Sequence, residues 1–136
     1  MPSTADSARL ATRAPLFIAI FADVVLVLVF AAIGRDAHQR SDTFLGVLAT
    51  AWPFLSGVAA SWLVSRAWRR PLAPWPTGVL VWLGTLAVAM LLRAVTGQSV
   101  VIPFVIVATI SLGLLLLGYR LLASAVVRLR SRRSGN

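Results

Sequence analysis

The sequence predicts an all-α membrane protein: a four-helix antiparallel transmembrane bundle with both termini inside (N-in/C-in). Three observations carry this. Of 136 residues, 59% are hydrophobic and 12% charged, about half the charge of a soluble domain. The apolar residues form long unbroken runs rather than stripes of helical or strand period, as lipid-facing helices require. The arginines outside the runs gather in alternate polar segments, the asymmetry expected of a multi-spanning chain.

Residues 1–14 read as a disordered cytoplasmic tail carrying Arg9 and Arg13. The first span, about 16–34, is almost wholly apolar and long enough for a bilayer core of about 30 Å. It holds one carboxylate, Asp23. That charge, and the length of the run, argue against a cleaved secretory signal. The polar segment 34–42 follows, with Ser41 or Asp42 placed to cap the second helix.

The second span, about 44–65, contains TAWPFLSG, where Pro53 removes a backbone hydrogen bond. Ala49, Pro53, Gly57 and Ser61 recur every four residues and make a narrow, smooth helix-packing face. The connection 65–78 combines Arg66, Arg69 and Arg70 with Trp62, Trp68 and Trp75, a basic cluster with interfacial aromatics. Pro71, Pro74 and Pro76 separate the second helix from the third. The third span covers about 77–95, closed by Gly97; Ser99 is placed to cap the fourth, about 100–123. The transmembrane domain is thus 15–125, and 126–136 is a basic cytoplasmic tail.

All basic residues are arginine, and the chain has neither lysine nor glutamate. We read this as coding bias of a GC-rich genome. The net charge of +9 is topogenic and attracts anionic lipid heads at the cytoplasmic face. Nucleic acid is not an expected partner. The expected partners are the bilayer, a second copy, or another membrane protein. Without cysteine, disulfides and thiolate metal sites are excluded.

No catalytic motif is present, and no cofactor or metal is expected: His38 with Asp42 in a loop is too poor a ligand set. Two polar features remain. A charge within the hydrocarbon region is costly and needs a partner on another helix. For Asp23 the candidates by depth are Arg120 and Tyr119. Arg35, Asp36, His38, Arg93 and Thr96 form a candidate polar cluster at the outer end. Asp23 is either a structural bond between helices, in which case Asp23→Asn retains most stability, or a proton or cation site.

The segments FADVVLVLVFAAIGRDAH, TAWPFLSGVAASWLVSRAWRRP, VWLGTLAVAMLLRAVTG and VATISLGLLLLGYRLL, in that order, resemble the bacterial domain-of-unknown-function family 3054. The resemblance covers nearly everything but the two tails. It implies a small membrane protein and no particular reaction. If its motifs mark a site, the matching positions are Asp23, Gly34, Arg35, His38, Trp52, Pro53, Arg66, Arg93, Thr96 and Gly97. The leading functional expectation is a non-enzymatic integral protein of the bacterial cytoplasmic membrane, acting through helix packing. The alternative is a small oligomeric transporter or channel that uses Asp23.

Overall fold

Four helices cross in sequence: α1 (Thr4–Ala37), α2 (Phe44–Ser65), α3 (Val79–Val95) and α4 (Ile102–Ser134). The computed structural model describes residues 1–37 and 43–135, with the side chains at 11, 12, 36 and 37 outside the description. All four, α3 together with the turn before it, are long and apolar enough to cross a membrane. Among the described residues there is no strand. Neighbours in sequence pack together and α1 also meets α4, so the order around the bundle is α1–α2–α3–α4.

Each helix buries a row of residues four apart, because i and i+4 lie one above the other on a helix. On α1 the row is Ala19, Asp23, Val27 and Ala31; on α3 it is Val81, Thr85, Ala89 and Arg93; on α4 it is Ala108, Leu112, Leu116 and Arg120. On α2 the buried residues come in pairs, Pro53–Phe54, Gly57–Val58 and Ser61–Trp62. The outward faces carry exposed leucine, isoleucine, valine and phenylalanine, the surface that lipid covers in a membrane.

The α2–α3 seam is the tightest. A Cβ built on Gly57 would lie 2.6 Å from the Thr85 carbonyl oxygen, and one on Gly84 would run into Ser61 Oγ. Glycine at both positions lets the backbones approach. Trp82 Nε1 donates to the Thr109 carbonyl at 2.9 Å and fastens α3 to α4. Away from the termini, Phe30, Phe54 and Phe104 stack edge to face, at 5.1 and 6.4 Å between centroids, and bind α1, α2 and α4.

The helix ends differ from expectation in four places. Residues 1–14 are not an irregular tail: Ser3 Oγ accepts from the Asp6 amide and donates to its carboxylate, and α1 begins at Thr4. This closed capping pair satisfies an otherwise orphaned first-turn amide. Likewise the basic tail continues α4 to Ser134, since nothing in VVRLRSRRS breaks a helix. Thr43, rather than Ser41 or Asp42, caps α2 through the Gly46 amide at 3.0 Å; the latter two lie outside the described residues. Ser99 does not cap α4, whose first residue follows an extended Val101.

Gly97, at φ +78°, closes α3 as expected: its amide reaches the Ala94 carbonyl and that of Gln98 reaches Arg93, the paired bonds of a Schellman ending. At the other end of the bundle α2 stops at Arg66, which is left-handed at φ 53°. A single 3₁₀ turn, Ala67–Arg69, and a wide turn, Pro74–Gly78, then lead into α3. The end bearing this connection and both termini is called the basic end below.

Candidate functional site

Asp23 and Arg120 are both fully buried, at 0% exposure. Asp23 lies on the buried row of α1 seven residues into its apolar run, about 10 Å from the run's start at the rise of a helix. Arg120 extends the buried row of α4 beyond Leu116. Chain direction makes the two meet, because α1 leaves the basic end as α4 returns to it. Their side chains form a two-pronged pair, Nη1 to Oδ1 at 2.9 Å and Nη2 to Oδ2 at 2.8 Å. Gly78 makes the room: a Cβ there would press on Arg120 Cδ and Leu117 Cδ2 at 3.0 and 2.8 Å.

Two neutral donors complete the carboxylate. Tyr119 Oη donates to Oδ1 at 2.6 Å, with a longer 3.5 Å approach to the Ala19 carbonyl. Trp62 Nε1 donates to Oδ2 at 2.8 Å. Each carboxylate oxygen thus accepts two hydrogen bonds, the full capacity of an ionised carboxyl group. The guanidinium is nearly as well supplied. Its Nε donates to the Pro71 carbonyl at 2.9 Å and Nη1 to the Leu116 carbonyl at 3.1 Å. Its Cζ lies 4.8 Å from the Tyr119 ring centroid.

Burying two charges costs several kcal/mol per ion, and attraction offsets this only when geometry is good and remaining hydrogen-bonding positions are filled. Both conditions hold here. The arrangement ties α1, α2, α4 and the α2–α3 connection together at one point. Chemically it offers neither a free lone pair for a ligand nor a nucleophile. Among the described residues no group of three or more histidine, cysteine or acidic side chains could hold a metal.

Residues 20–123 match the family described as Protein of unknown function (DUF3054). The chain belongs to DUF3054. The match begins just before Asp23 and ends just after Arg120, so it encloses the whole buried lock. No curated protein and no solved structure matches the chain.

In this DUF3054 protein the candidates Asp23, Tyr119 and Arg120 meet. Trp62 was missed. The sequence reading placed it in an interfacial belt with Trp68 and Trp75, whereas it is buried at 8% exposure and only the other two are exposed. A signal existed: Ser61–Trp62 continues the four-residue spacing of Pro53 and Gly57, which points inward.

Of the candidate outer cluster, the described bonds of Arg35, Arg93 and Thr96 are these. Arg35 Nη1 donates to Thr50 on α2 at 3.2 Å. Arg93 instead turns into the α3–α4 connection, donating to Gln98 Oε1 at 2.9 Å and the Ser99 carbonyl at 3.0 Å, with its Cζ 4.4 Å from the Phe104 centroid. Thr96 bonds the Leu92 carbonyl of its own helix at 2.7 Å. His38 and the Asp36 side chain lie outside the described residues.

Within the packing row of α2, Pro53, Gly57 and Ser61 are buried but Ala49 is exposed. Ser61 Oγ donates to the Gly57 carbonyl at 2.6 Å, which hides its polarity inside the helix. The partners of this face on α3, Gly84 and Thr85, were not identified from sequence.

Proposed function

We propose that this DUF3054 protein is a non-enzymatic integral protein of the bacterial cytoplasmic membrane that acts by packing with a second copy or another membrane protein. One observation carries the reading. Asp23, the acidic residue within the spans, is enclosed by four donors and fully buried. A transport site has to exchange its occupant with water, and a carboxylate with every position filled supports a structural lock instead. An apolar cleft of about 380 Å³ between α1 and α2 is lined by residues such as Val25, Val29 and Leu48, away from Asp23.

Charge supports the orientation. Among the described residues, Arg9, Arg13, Arg66, Arg69, Arg70, Arg128, Arg130, Arg132 and Arg133 belong to the basic end, while Arg35 and Arg93 belong to the other. By the positive-inside rule this asymmetry supports a cytoplasmic basic end, with both termini inside.

Two measurements test the proposal. Vesicles reconstituted with the protein under an imposed pH gradient are expected to leak protons no faster than empty ones. Cross-linking in native membranes, from single cysteines introduced on exposed helix faces of this cysteine-free chain, is expected to trap a dimer or a heteromeric adduct. Proton flux that disappears in Asp23→Asn would replace this reading with transport.

A further inference from the structure

Where α4 leaves the apolar region, its side chains change character along one face. Leu121, Ala125, Arg128, Leu129 and Arg132 are spaced 4, 3, 1 and 3 residues apart and line one groove of about 370 Å³. Pro74, from the turn before α3, supplies the opposite wall, and Ser124 adds a hydroxyl. Twenty residues from Ile102 cross about 30 Å of hydrocarbon, so Leu121 falls near the edge of the core. Arg128 lies seven residues farther, roughly 10 Å, at the level of lipid headgroups.

The groove is therefore apolar where acyl chains end and cationic where phosphates begin. Its two arginines are one helical turn apart and exposed, both able to donate to one phosphate. The C-terminal turns of α4 contain no acidic residue to compete for them.

We infer that this groove binds an anionic glycerophospholipid, its phosphate held by Arg128 and Arg132 and its glycerol and upper acyl chain laid along Leu121, Ala125 and Leu129 against Pro74. The occupant is an amphiphile rather than a free anion, because the cationic lip and apolar wall form one continuous surface. The inference rests on the membrane placement proposed above, but not on the role of Asp23.

The experiment titrates the full chain, in neutral detergent micelles, with fluorescently labelled phosphatidylglycerol. A neutral micelle lacks an anionic surface, so direct contacts dominate the signal. Arg128→Gln combined with Arg132→Gln is expected to raise Kd roughly 30-fold, at about fivefold per arginine. Arg130→Gln with Arg133→Gln removes the same charge from outside the groove. It is expected to leave Kd within about threefold, the residue of longer-range attraction. Ala125→Trp keeps every charge, fills the groove, and is expected to weaken binding as the first pair does. Labelled phosphatidylcholine should bind the parent more weakly than phosphatidylglycerol. Unchanged helix content by circular dichroism checks that each variant is folded. Equal losses from the two arginine pairs would show a diffuse charge effect and overturn the site. So would parent-like binding by Ala125→Trp, or displacement of the labelled lipid by inorganic phosphate at matched concentration.

Discussion

Arg120→Met and Asp23→Leu, alone and together, test the lock most directly. Removing the guanidinium takes away two of the four donors to Asp23 and its counter-charge. An uncompensated charge left in a buried site costs about 3–5 kcal/mol. Asp23→Leu leaves Arg120 with only the Pro71 and Leu116 carbonyls, and about the same cost is expected. The double variant has no buried charge at this site. It retains the orphaned Trp62 indole, at about 1–3 kcal/mol for an unsatisfied buried donor, while the Tyr119 hydroxyl keeps the Ala19 carbonyl within 3.5 Å. The double loss should thus fall short of the summed single losses by about 3 kcal/mol or more, a coupling far outside the additive range. The assay is denaturant unfolding in detergent, with helix content followed by circular dichroism. Asp23→Asn is a useful fourth variant. It keeps the size of the side chain but sets an NH2 group where the carboxylate accepted hydrogen bonds. Turned one way, its NH2 group faces Trp62 Nε1 and Nη2, both donors; turned the other, it faces Nη1, a donor, and the Tyr119 hydroxyl, which accepts if its proton turns to the Ala19 carbonyl. Either way at least one arginine N–H loses its acceptor, so stability should fall by about 1–3 kcal/mol. Additive losses from the two single variants, within about 0.5 kcal/mol, would refute the pairing.

Trp62→Phe keeps an aromatic ring but loses the pyrrole part of the indole and one neutral donor, so unfolding should shift by at least about 0.6–1.7 kcal/mol, the range of a hydrogen bond between membrane helices. Gly57→Ala drives a Cβ against the Thr85 backbone and should destabilise by about 1–3 kcal/mol. Gly118→Ala, with nothing within 4 Å of the new atom, should hold or raise stability by up to ~1 kcal/mol through helix propensity; the pair is read by melting in detergent. Thr85 Oγ1 is buried without a hydrogen-bond partner, so Thr85→Val should be neutral or stabilising by about 1–2 kcal/mol in the same unfolding assay. Reporter fusions at the C-terminus and after Pro71 should read cytoplasmic and one after Gln39 external, and the reverse pattern would overturn the orientation.

Helix number and type were legible because lipid imposes length. A run such as Leu16–Gly34 spans a bilayer as a helix or not at all. The ends were less so, since solvent imposes no comparable rule. Whether Val126–Ser134 continues α4 depends on the absence of a breaker, which composition alone made look like a tail. For the site, the cost of a buried charge pointed to a partner, and depth singled out Arg120 and Tyr119. Depth gives height but not azimuth. It therefore missed Trp62, whose position in the sequence equally suits a membrane-interface belt.

Position around the bundle also explains why the lock lies where it does. Lipid tails are as apolar as leucine, so burial of apolar surface does not drive helices together inside a membrane; close packing and polar contacts must. The α2–α3 seam uses the first, with Gly57 and Gly84 admitting the opposite helix. The α1–α4 seam has the least extensive contact of the four around the ring. This is the seam that Asp23 and Arg120 cross. Trp62 and the Pro71 carbonyl extend the same network to α2 and to the connection beyond it. Polar bonding thus closes the ring where steric fit is poorest, and Arg120→Met should loosen α1 from α4 while leaving the α2–α3 hairpin packed. Cross-linking between single cysteines placed on each seam distinguishes the two: loss of the α1–α4 cross-link alone is the expected result, and equal loss at both seams would mean that the lock holds the whole bundle rather than its weakest contact.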